Sequence, residues 1–164
     1  MNTLTDLYLD ELKDIRSACA QSREVTIKLE EAATDPALKE ALHAGHKGIS
    51  DGIAMLDQVI KGHGADPDGE FCKGMEGLVK EARKHALDED FGDDAVRDAM
   101  IITQYQRMAH YAIAGYGCVK AFAKRLGLDE DARHLDTHLS NTYDGDEKMT
   151  ELAMGGINAD AKAA

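Results

Sequence analysis

The chain has 164 residues, 43% hydrophobic and 30% charged, with no Trp and two Pro, which fits one soluble helical domain large enough for a real core. Its net charge of -12 argues against nucleic acid or an anionic membrane as partner, because phosphate binding needs clustered Lys and Arg. No apolar run approaches the ~18 residues of a membrane span, the polar N-terminus is no signal peptide, and Cys19, Cys72 and Cys118 form no CxxC motif, so the expected location is the reducing cytoplasm.

Thr3 or Thr5 caps a first helix predicted over Thr3–Ala33, with Asp6 in its first turn. Its apolar seam is Tyr8, Leu12, Ile15, Cys19, Ser22, Thr26 and Leu29, and charged residues occupy the outer faces. Thr34-Asp35-Pro36 stops this helix and starts the next, with Asp35 as cap and Pro36 at the first helical position. The second helix, Pro36–Lys61, has Leu38, Leu42, Gly45, Ile49, Gly52, Leu56 and Val59 in its seam. HGADPDG cannot continue it. A shorter helix is predicted within Glu70–Leu87, followed by the acidic loop DEDFGDD.

The third long helix, Ala95–Leu126, organises the rest. Ile102, Tyr105, Ala109, Ala112, Tyr116, Val119, Ala123 and Leu126 recur at alternating steps of three and four, a stripe that narrows to alanine at its middle. Gly127 ends it as a C-terminal cap, and Asp129 is a candidate cap for the fourth helix, Asp129–Met154. That seam is Ala132, Leu135, Leu139, Thr142, Asp146, Met149 and Ala153. Residues 1–154 are therefore expected to form one domain and 155–164 a flexible tail.

Short, long and short connections between four long helices predict an all-α, ferritin-like four-helix bundle with an extra helix in the crossover between helices two and three. Helices one and two are expected to be antiparallel, and likewise three and four. The crossover is expected to set helix three antiparallel to helix two across the diagonal. An up-down bundle is the rival topology, but it needs no long middle connection.

Seven phrases carry a family resemblance: DLYLDELKDI (6–15), EAATDPALKEAL (31–42), LDQVI (56–60), CKGMEGLVKEA (72–82), HYAIAGYG (110–117), AKRLGLDE (123–130) and DEKMTELA (146–153). The chain resembles the YciE/YciF family of bacterial ferritin-like proteins over nearly its whole length. The resemblance implies a stress-response association, a homodimer and a relation to di-metal carboxylate bundles, but no defined reaction. In such bundles, carboxylates and imidazoles from each helix hold two metals. The positions that match the family's ligands are here Cys19 on helix one, Gly45 and Gly48 on helix two, Ala109 and Ala112 on helix three, and Asn141 and Thr142 on helix four. Two hard cations need several carboxylate oxygens, so the resemblance implies a vestigial site with no metal and no cofactor. The alternative is a di-iron or di-manganese ferroxidase or peroxide-consuming enzyme that draws ligands from Glu11, His46, His110 and Asp146.

Other residues have competing readings. His43 and His46 could join His110 and Glu11 or Asp146 around a metal; otherwise His43 is solvated and His46 hydrogen-bonds inside the bundle. His110 suits a packing or supporting role as well as ligation. His134 and His138, four apart, have no acidic partner fixed opposite and read as surface residues. Asp88, Asp90, Asp93 and Asp94 lack the spacing of a calcium loop and read as solvated. Cys19 reads as an inert small hydrophobe rather than a reactive thiol. Asp146 in the seam needs a donor, with Tyr105, Tyr116 or His46 available, or else helix four turns it outward near Gly145. Hydrolase, P-loop and dinucleotide motifs are absent.

These readings favour a non-catalytic protein that binds an unknown protein or small molecule. Small residues at the waist leave a volume deficit. The glycines of helix two are expected to let the helices close, with His46, Tyr105, Met108 and His110 filling in, leaving at most a small wet pocket near His46 and Asp146. A waist cavity that holds an apolar or aromatic ligand is the third possibility.

Overall fold

Thr3 opens the first helix with a reciprocal pair of hydrogen bonds. In the computed structural model, which describes residues 1–164, the Asp6 amide donates to Thr3 Oγ1 (3.1 Å) and the Thr3 amide donates to Asp6 Oδ2 (3.0 Å). This capping box satisfies amides that the first helical turn leaves without partners, and α1 runs Leu4–Ala32. Asp35 caps α2 (Pro36–Gly62) by accepting from the Leu38 amide at 2.8 Å, with Pro36 at the first helical position. Helix α3 (Lys73–Ala82) is capped by Cys72 and continues into a π-helical turn, Arg83–Asp88. Asp93 caps α4 (Asp94–Leu126), and Gly127 ends it at φ 75°, a left-handed conformation that costs glycine least. Helix α5 spans Asp129–Leu152. It has no side-chain cap, so Asp129 is its first residue rather than its cap.

α1 packs on α2 and α4, and α5 packs on α4 and α2, so α2 and α4 face each other across a diagonal. Their direction corrects one expectation. Asp98, in the second turn of α4, hydrogen-bonds Thr34 and Asp35 at the start of α2. At the opposite end, Asp131 of α5 meets Tyr8 of α1 and His63 at the end of α2. Helices α2 and α4 therefore start at the same end and run parallel. The crossover, with α3 lying against α1 and α4, carries the chain back along the bundle before α4 begins.

The seams converge on one core of 31 buried residues. Every predicted seam residue of α1 is buried, from Tyr8 to Leu29. Full burial of Leu12, Leu38, Leu42, Leu56 and Leu135 stabilises the fold by about 1.5–3 kcal/mol each before entropy is counted. The frayed tail expected after Met154 is instead a π-helical turn (Ala153–Ile157) and a short helix, α6 (Asn158–Ala163), that rests on α4. Ile157 anchors it by burying its side chain, an apolar contact that a polar, alanine-rich segment did not advertise.

Candidate functional site

Burial falls off at the middle of the bundle. On α2, Gly45 and Ile49 are half-buried and Gly48 is exposed, and on α5 Thr142 is half-buried and Asn141 exposed, although all but Asn141 lie in or beside the seams. Behind them lies a cavity of about 480 Å³. Cys19, Ser22 and Thr26 of α1 and Tyr105, Met108, Ala109, Ala112 and Tyr116 of α4 form its floor. Its mouth opens between α2 and α5, where Lys47, Asp51, Asp144 and Lys148 stand exposed. The volume lies in the range of small-molecule pockets.

Two tyrosines hold the waist open. A Cβ at Gly45 would lie 2.7 Å from the Tyr105 hydroxyl, and one at Gly52 would lie 2.8 Å from the Tyr116 hydroxyl. These glycines therefore make room for phenol groups that reach from α4 under α2. They do not bring the helices together. Closure would require both rings to leave positions set by buried packing, so the expected closed waist is overturned. A Cβ at Gly48 meets nothing within 4 Å, because it faces the opening.

Burial dominates the chemistry of the floor. It pushes the Cys19 thiol up to about 11, although its contact with the Tyr116 hydroxyl at 3.5 Å acts the other way. The thiol stays protonated and is a poor nucleophile. Burial also pushes the Tyr105 phenol up to about 12, with the charge of Asp146 adding to the effect. His138 stacks on Tyr116 (6.3 Å between ring centroids, 20° between planes) and lines the cavity. Burial holds its imidazole below the ordinary range. The floor is thus neutral, with hydroxyl, thiol and imidazole groups set in an apolar wall.

The positions that the resemblance matches to metal ligands do not suit a pair of metal ions. Cys19, Gly45, Gly48, Ala109, Ala112, Asn141 and Thr142 offer no carboxylate. The only group of three or more His, Cys, Asp or Glu side chains with ligand atoms within 4.8 Å of one another is Glu30, His43 and His46, none of which lines the cavity.

A family model described as a domain of unknown function, DUF892, matches residues 3–162. The chain belongs to the DUF892 family. Protein YciF of Escherichia coli (strain K12) is 32% identical over 163 residues, 99% of this chain and 97% of that protein. The crystal structure of YciF, named there a stress protein of E. coli, superposes with a TM-score of 0.89, covering 96% of this chain and 99% of that one. YcfI of Rhodopseudomonas palustris superposes with a TM-score of 0.85 at 36% identity, covering 91% of this chain and 94% of that one. These matches agree with the all-helical bundle, and no helix is long and apolar enough to cross a membrane.

Within this DUF892 chain, the seven positions singled out from the resemblance all line this same cavity. The polar residues expected to cluster beside them do not gather. Glu11 is half-buried on α1 among acidic neighbours; burial raises its carboxyl first, then the charges of Asp14 and Asp10. His46 turns away from the cavity to Glu30, with Nε2 2.8 Å from Oε2. His110 is 66% exposed and pairs with Asp146 at 3.0 Å. Tyr105 alone of the five lines the cavity. Asp146 is half-buried and accepts from Gln106 Nε2 at 3.2 Å, so its partners are Gln106 and His110, not the tyrosines or His46. Neither His46 nor Asp146 lines the pocket, although their chain neighbours Gly45, Lys47 and Gly145 do.

Sequence reasoning missed three participants. His138, expected at the surface, lies three residues before Asn141 and so on the same face. Glu30 sits four residues after Thr26, next to the seam rather than in it. Asp98 is 2% exposed and accepts from the Thr34 amide (2.9 Å), the Thr34 hydroxyl (2.7 Å) and the Asp35 amide (2.8 Å). An aspartate near a helix start reads as a favourable dipole partner, and nothing local signals its burial.

Proposed function

We propose that this chain is a ferritin-like, stress-associated member of its family in which a binding cavity stands where relatives would place a di-metal centre, and that it acts by holding a small, largely apolar ligand. One observation carries the reading: every position at which the family resemblance expects a metal ligand borders the same open cavity. Small side chains from all four long helices have created one space in common. A ligand that fills this space removes apolar wall from water and gains contact energy. The neutral floor favours an uncharged apolar body, and Tyr105 and Asn141 supply polar groups to orient it.

The test uses a neutral aromatic fluorophore, N-phenyl-1-naphthylamine, titrated into the full chain. The expected result is saturable binding at one probe per chain. Gly48→Phe should abolish it, because the new ring enters a mouth where no neighbour obstructs it. Lys80→Ala, at an exposed position on α3, should leave binding unchanged. Failure of the native protein to bind the probe saturably, or equal binding by the Gly48→Phe variant, overturns the reading.

A further inference from the structure

Glu30, His43 and His46 are the one place in the molecule where three metal-binding side chains already converge. His43 and His46 are three apart on α2, so their rings rise from the same face. The rings meet edge to face with centroids 4.8 Å apart. Glu30 reaches across from α1, and each of its oxygens faces one ring: Oε1 lies 3.2 Å from His43 Nδ1 and Oε2 lies 2.8 Å from His46 Nε2. All three ligand atoms lie within 4.8 Å of one another. Around a tetrahedral ion with bonds of about 2.0–2.2 Å, ligand atoms sit roughly 3.3 Å apart. The gap is small, and the His43 side chain, 64% exposed, has open space on its solvent side for the rotation that would close it.

We propose that this triad is a site for one divalent transition-metal ion of the zinc class. Two imidazole nitrogens and one carboxylate oxygen form a borderline donor set that prefers Zn²⁺, Ni²⁺ or Cu²⁺ to Mg²⁺ or Ca²⁺, which seek shells of oxygen. His43 is 64% exposed, so the ion's remaining position opens to water. Both helices at this point are fixed by the short Ala33–Asp35 connection, so the Glu30 and His46 backbones are preorganised. The protein's net charge of -12 raises the local concentration of cations. None of the three residues lines the waist cavity, so this site stands or falls separately from the ligand reading.

The experiment is calorimetric titration of Zn²⁺ into the chelator-treated full chain, repeated with Co²⁺ and followed by visible absorption. The expected result is one ion per chain, with Mg²⁺ failing to compete. His43→Ala, His46→Ala and Glu30→Gln should each weaken Zn²⁺ by about tenfold or more, whereas His134→Ala, at an exposed position elsewhere, should leave it unchanged. All three side chains lie at the bundle edge, and melting curves verify that the variants remain folded. Unchanged affinity in Glu30→Gln or His46→Ala, an equal loss in His134→Ala, or no binding by the native chain overturns the proposal, the first two results meaning adventitious histidine binding only.

Discussion

The two best-defined polar regions of the bundle are built on opposite principles. At the end where α2 and α4 begin, Asp98 is almost fully buried and each of its oxygens is engaged, so a carboxylate in the core is matched donor by donor. At the waist, the side chains are small and neutral and leave about 480 Å³ unfilled. The first region spends a charge to lock the turn between α1 and α2 against α4. The second gives up packing to keep a space. A buried polar group with a full set of partners is a structural device, whereas missing volume within otherwise dense layers is the feature on which the ligand proposal rests.

Removing the lock should produce the largest effect. Asp98→Ala removes three hydrogen bonds to a charged acceptor, from the Thr34 amide, the Thr34 hydroxyl and the Asp35 amide, so we expect a loss of about 3 kcal/mol. Urea unfolding of the variant checks this. Asp98→Asn should recover only part of the loss, since an amide oxygen accepts as a neutral group while its NH₂ faces donors. A loss below about 1 kcal/mol would show that water can take over at this end as well.

The contrast can be sharpened with one substitution made in two places. Ala123→Leu, in a fully buried layer of α4, forces extra methylenes into filled space and should cost about 1–3 kcal/mol. Ala109→Leu, four turns earlier on the same stripe, points at the cavity and should change stability by less than about 1 kcal/mol. Thermal melts of the two variants compare them directly. Equal losses would mean that the waist is as tightly packed as the layer at Ala123.

Much of the fold was legible because it rests on local signals. Seams of period three and four, the Thr3 box, Asp35-Pro36 and Gly127 mark the long helices, and observed ends fall within one or two residues of the expected ones for all four of them. What escaped depends on long-range geometry. The direction of α4 follows from where the crossover delivers the chain, and only the Asp98 contacts to Thr34 and Asp35 fix that end. The tail buries a single residue fully, Ile157, too sparse a pattern to read as a seam. At the waist, the small residues were visible but their consequence was not. Gly45 and Gly52 look like sites for helix approach until the Tyr105 and Tyr116 hydroxyls are found beneath them. His43 and His46 are legible as a spaced pair, but their partner Glu30 lies outside the apolar stripe of α1.

The smallest expected effect tests how wet the cavity is. His138 lines it, and its imidazole is held below the ordinary value of 6.5, chiefly by burial; the neighbouring His134 acts in the same direction and Asp51 opposes both. A base whose folded-state pKa is depressed favours the native state while it is neutral. Its contribution is fully present above the unfolded value near 6.5 and is lost as pH falls through the lower folded value. Native protein should therefore lose melting temperature between about pH 7 and about pH 5 faster than a His138→Gln variant, which keeps a polar side chain of similar reach but does not titrate there. The effect should be modest, because the imidazole is only half-buried and lies beside an open mouth. If the two proteins follow parallel curves, water inside the cavity already solvates the imidazolium, and the floor is wetter than its apolar wall suggests. If the difference is seen only when N-phenyl-1-naphthylamine is added to both proteins and is absent in buffer alone, the dry environment belongs to the occupied state. Persistence of the difference without any probe assigns it to the packing of His138 against Tyr116.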